Sequence, residues 1–145
     1  MTRHLAWWLA AFVVGTGTLG VAQKVLSPEE FDRAMKTIGS AVDSVNLAIG
    51  SKSYVDAKAP LALSRQVLAS TKPLWEIDQQ PDAASMTREA VARLDALDKV
   101  LSAKAVDAAA VAAAVQDVTR ACDVCHATYR EGDRQTGYRI KSAFR

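Results

Sequence analysis

The scarcities of this 145-residue chain narrow it first. It holds two cysteines, Cys122 and Cys125, too few for a disulfide framework to replace a hydrophobic core. It holds two histidines, and one of them, His4, sits in the first few residues. Only His126 is left for a protein-only metal cluster or for general-base chemistry in the rest of the chain. Eighteen basic residues against 16 acidic ones give a formal net charge of +2, which offers no electrostatic footing for nucleic acid. No internal repeat and no strand-like alternation of apolar and polar residues stands out. Half of the residues are hydrophobic, so one domain with a real core is within reach and disorder is not expected.

The longest apolar run lies at the N-terminus. Arg3 and His4 precede "LAWWLAAFVVG", and the small-residue stretch "TGTLGVAQ" follows it. The run is shorter than the roughly 20 residues of a membrane span. Gly20 and Ala22 suit the positions before a cleavage point at Gln23. Residues 1–22 therefore read as a secretory signal, with an uncleaved anchor as the alternative. The expected mature protein is exported to the periplasm, near neutral, and not inserted in a membrane.

Beyond Gln23 the chain is rich in Ala and Leu and reads as four helices. Ser27, Pro28 and Glu30 form a capping box with proline in the first turn. The stripe Phe31, Met35, Ile38, Val42, Val45, Ile49 then steps by fours and threes to a stop at Gly50. A second helix spans about Ser53 to Ser70, kinked or delayed by Pro60. "TKPLWEIDQQPD" reads as irregular. A third helix starts near Asp82 or Ser85 and ends near Ala105, with Met86, Ala90, Leu94, Leu97 and Leu101 on one face. The fourth runs from about Asp107 to Arg130, with Val111, Val115, Val118, Cys122, Cys125 and Tyr129 facing inward. The expected fold is all-α, an antiparallel four-helix bundle over residues 23–130, followed by a loose basic extension over residues 131–145.

"ACDVCHATYR" concentrates the chemistry. Zinc would need a fourth ligand that the mature chain lacks. A redox dithiol is normally found at a helix N-terminus, whereas this pair lies in the last turns of a long helix. A structural disulfide would leave the adjacent histidine without a role. C-x-x-C-H has a further meaning, in which two thiols form thioethers to haem and the histidine ligates its iron. At about 100° per residue, Cys122, Cys125 and His126 fall within an arc of roughly 100° and can face one planar group. One covalent haem c is the cofactor expected from this spacing, and export suits it.

The signal, the bundle and the C-terminal C-x-x-C-H followed by "ATYR" resemble the cytochrome c prime family, in particular its low-spin, methionine-ligated branch. "CDVCHATYR" and "MKTIG" at residues 35–39 carry the likeness, and Trp75 adds a weaker match. Two departures stand out: Phe31 occupies a position where the family commonly has arginine, and the tail is longer. The resemblance implies Met35 as sixth iron ligand opposite His126, and a homodimer paired through the first two helices. Gly39, one turn beyond Met35, costs a helix about 1 kcal/mol relative to alanine, which close approach of a flat ring would explain. The alternative is that Met35 is an ordinary core residue; Met86, also facing inward but on the third helix, reads as core and not as a ligand. Arg130, four residues after His126, could pair with a haem propionate or cap a solvated helix end. The expected function is single-electron transfer with a redox partner protein, not enzymatic turnover. The alternative is a five-coordinate haem protein that binds nitric oxide or carbon monoxide.

Overall fold

The computed structural model describes residues 25–133 and 135–144, so the signal expected over residues 1–22 and its cleavage point lie outside the described residues. Helix α1 spans Pro28–Gly50. Its start is fixed reciprocally: the Ser27 hydroxyl accepts from the Glu30 amide at 3.2 Å, and the Glu30 carboxylate accepts from the Ser27 amide at 2.9 Å. Helix α2, Tyr54–Ser70, continues unbroken past Pro60. Ala57 and Leu61 on either side of that proline are 0% and 2% exposed, so packing outweighs its missing hydrogen bond.

The stretch expected to be irregular contains a six-residue helix, α3, over Lys72–Ile77. Pro73 sits in its first turn, where a missing N–H costs nothing, and Pro73, Leu74 and Trp75 are buried. Helix α4 covers Pro81–Leu101, four residues short of the expected end because the chain turns at Ser102. Helix α5 covers Ala108–Tyr129, capped by the Asp107 carboxylate accepting from the Ala109 amide at 2.9 Å.

The four long helices, α1, α2, α4 and α5, pack against one another as the expected all-α bundle. Each packs along its neighbour in the chain: α1 on α2, α2 on α4, α4 on α5. Among the described residues no comparably close backbone seam joins α1 to α5. The bundle therefore closes on three sides and is looser on the fourth.

Two apolar clusters fill it. One centres on Val45, Leu61, Leu94, Leu97, Val111 and Val118. The other, at the far end, is built on Trp75, Ala83, Ala84 and Tyr129. Each fully buried Leu or Val stabilises the fold by roughly 1.5–3 kcal/mol. The exposed pairs Lys58–Asp98 and Arg65–Asp95, which link α2 to α4, contribute about 0–1 kcal/mol each.

The C-terminal segment is not loose. Strands β1, Arg130–Asp133, and β2, Gly137–Ile140, form an antiparallel hairpin with Arg130 opposite Ile140. A short 3-10 turn, Ser142–Phe144, follows. Gly132 has φ +88°, and a side chain there would run into the Gly137 carbonyl oxygen, so only glycine fits. The Asp133 carboxylate ties the turn by accepting from the Gln135 and Thr136 amides, both at 2.8 Å.

Candidate functional site

Cys122, Cys125 and His126 are all half-buried on the last two turns of α5. Cys122 packs against the first apolar cluster and Cys125 against the second, so the pair spans the junction of the two. Both thiols are free. Burial raises the Cys122 thiol, with the Asp123 carboxylate adding to the effect. Burial and then Cys122 push the Cys125 thiol up to about 11. Neither is a ready thiolate, which is the opposite of what a redox dithiol needs. Burial, and secondly the Arg130 charge, lower the His126 pKa, with Asp123 opposing. A neutral imidazole is the form that ligates a metal.

The geometry relative to α1 follows from the helix register. Val42, Val45 and Asn46 of α1 and Val115, Val118 and Thr119 of α5 line one small cavity of ≈ 20 Å³. These residues therefore mark one level where the two helices face each other. Seven residues make two helical turns with only about 20° of drift. Seven back from Val42 is Met35, and seven on from Thr119 is His126. One turn farther out, Phe31 of α1 and Tyr129 of α5 both meet Trp75, with ring centroids 5.2 and 5.3 Å apart. Met35 and His126 are thus bracketed at about one level along α1 and α5.

The α1 face at that level is unusual for a bundle core. Met35 is half-buried, yet among the described residues it belongs to neither apolar cluster. Gly39 is exposed, has no positive φ, and a side chain there would meet nothing within 4 Å. Neither backbone conformation nor crowding by the chain accounts for that glycine. Met86, by contrast, packs against the Trp75 cluster beside Cys125, as a core residue does.

Arg130 lies elsewhere than its spacing implied. Helix α5 ends at Tyr129, and Arg130 takes extended backbone, φ −97° and ψ 137°, as the first residue of β1. It is therefore not on the His126 face of the helix, and its guanidinium lies 4.3 Å from the centroid of the Tyr138 ring. Its backbone amide donates to the His126 carbonyl as the helix closes, and its charge acts on the imidazole.

Spacing arguments missed Lys141. Its ammonium donates to the carbonyls of Ala127 and Thr128, at 2.9 and 2.7 Å. Phe144 also went unnoticed, and its ring lies 4.7 Å from that of Tyr129. The pair Gly132 and Gly137 around Asp133 was the available signal for a hairpin that folds back.

Among the described residues no three His, Cys, Asp or Glu side chains come together as a metal site. Iron held in a porphyrin asks less of the protein, one or two axial ligands. Two thiols and a neutral imidazole on one helix face, with a half-buried methionine at their level on α1, are a donor set whose chemistry fits haem c. Among the described residues no helix is long and apolar enough to cross a membrane. Compared with models of protein families, with curated proteins and with solved structures, the chain matches none.

Proposed function

We propose that the chain is an exported, monohaem c-type cytochrome of the cytochrome c prime kind, carrying single electrons to and from a redox partner protein in the periplasm. The observation that carries the reading is the level shared by Met35 and His126 along α1 and α5, with both thiols on the same face of α5. Haem would supply the one-electron couple, Fe(III)/Fe(II). Everything else is the work of the chain.

Cys122 and Cys125 would each add their S–H across one vinyl group, giving two thioethers. Their raised pKa values in the folded chain favour attachment before α5 packs, when the thiols are exposed. His126 offers a neutral imidazole from the next position on the helix. Met35 offers a thioether sulfur from α1 at the same level, and a methionine ligand raises the reduction potential and fills the position a gas would take. Trp75, Tyr129, Phe31 and Phe144 close the end of the bundle beside Cys125.

The test is the visible spectrum of the purified protein, matured in a host that makes c-type cytochromes. Low-spin spectra in both oxidation states, with a narrow band in the ferrous form, support the reading. High-spin spectra and ready carbon monoxide binding overturn electron transfer in favour of gas binding.

A further inference from the structure

The C-terminal hairpin does more than end the chain. A helix leaves its last four carbonyls without intrahelical partners, and on α5 those belong to His126, Ala127, Thr128 and Tyr129. The Arg130 amide takes the first of them as the helix closes. The other three all go to one residue: Lys141 Nζ donates to Ala127 and Thr128, at 2.9 and 2.7 Å, and the Lys141 amide donates to Tyr129 at 2.9 Å. A cation at a helix C-terminus also meets the negative end of the helix dipole.

The hairpin brings Lys141 back to this place. Its turn depends on Gly132 and on the Asp133 carboxylate, and the Glu131–Arg139 pair, 3.0 Å apart, links the two strands. Ile140 and Phe144, flanking Lys141, pack against the cluster that holds Cys125, and Phe144 stacks at a tilt on Tyr129. The segment that Lys141 clamps is the turn carrying His126.

We infer that Lys141 is a positioning residue: through the last three carbonyls of α5 it holds the final helical turn, and with it the His126 imidazole, at a fixed orientation to the haem. Its role toward haem rests on the function proposed above, whereas the clamp itself is a property of the polypeptide. Nothing in the C-x-x-C-H spacing demands such a clamp. It answers a local weakness, because the attached helix end would otherwise fray within a turn of its ligand.

The test uses the full-length haem-bearing protein with Lys141→Met, Lys141→Gln and Lys141→Arg, and Lys58→Met at the opposite end of the bundle as control. Two quantities are read. Amide hydrogen exchange at Tyr129, Arg130 and Lys141 reports the clamp. The hyperfine-shifted haem methyl resonances of the ferric protein report the orientation of the axial imidazole. Lys141→Met is expected to speed exchange at these amides about tenfold, through the loss of the two charge-assisted hydrogen bonds of Nζ at a half-exposed site. It is also expected to change the spread of the methyl resonances. Lys141→Arg retains the wild-type pattern, Lys141→Gln falls between, and Lys58→Met changes neither. Should Lys141→Met fail to fold, the comparison of Gln with Arg decides. Faster exchange with unchanged methyl resonances makes Lys141 merely structural and overturns the positioning role. Haem attached but both quantities unchanged overturns the clamp and leaves the proposed function standing. A wild type without haem overturns the function and the positioning role together.

Discussion

Replacing Met35 by leucine separates ligation from packing. Met35 is half-buried and outside both apolar clusters, so little of the fold depends on its volume. A methionine-to-leucine exchange keeps apolar bulk and costs less than about 1.5 kcal/mol even in a full core. Alanine at a buried site would cost about 2–5 kcal/mol, and the half-exposure of Met35 places its loss toward the lower end. Met35→Leu should therefore stay folded, with its unfolding midpoint close to wild type. Its iron chemistry should change completely. The wild-type ferric protein is expected to show the weak near-infrared sulfur-to-iron band, and its ferrous form to bind carbon monoxide slowly. Met35→Leu should lose the band, turn high-spin and bind carbon monoxide readily, while His126 and both thioethers keep the haem in place. A high-spin wild type that binds carbon monoxide readily and is indistinguishable from Met35→Leu would refute sulfur ligation.

Further outcomes follow from the same structure. Trp75 is 2% exposed and joins α1, α3 and α5 through Phe31 and Tyr129, so Trp75→Ala should cost about 3–5 kcal/mol in urea unfolding; a loss below about 1 kcal/mol would contradict its place in the core. In haem-free protein, Cys125, with its pKa pushed from 9.0 to about 11, should alkylate about a hundredfold more slowly at pH 8 than an unhindered thiol, and an ordinary rate would show it is not packed as described. The Asp133 carboxyl lies below its usual 3.8, chiefly because of the Thr136 amide and hydroxyl and then the Gln135 amide. Because its folded pKa is the lower one, the contribution to the turn is fully present above pH 3.8 and fades as pH falls through the folded value. An NMR titration of Asp133 with its midpoint at or above 3.8 would contradict that.

Much of the bundle was legible because its determinants are local. The Ser27–Glu30 box, the stop at Gly50 and the four-three stripes of α1, α4 and α5 each lie within one helix, and the structure keeps them to within a few residues. Helix α3 was hidden by Pro73, which looks like a breaker and is harmless in a first turn. The hairpin was hidden because Gly132 and Gly137 amid charges resemble a loose tail. What orders that tail is distant packing of Ile140 and Phe144 on Tyr129 and Cys125. Arg130 was misplaced by a single residue of helix, since the spacing rule for side chains four apart fails once the backbone becomes extended. At the site, Cys122, Cys125 and His126 are adjacent in the chain and could be read from spacing alone. The level shared by Met35 and His126 could not, because it depends on how α1 and α5 register against each other, which the cavity residues and the Trp75 contacts reveal.

Covalent haem on Cys122 and Cys125 is the central claim, and intact mass spectrometry of the denatured protein, after maturation in a competent host and treatment with a thiol-alkylating reagent, tests it most directly. The account predicts a polypeptide heavier by one haem with neither cysteine alkylated, and loss of that haem in the Cys122→Ala, Cys125→Ala double variant. A haem-free polypeptide carrying two alkyl groups would contradict it.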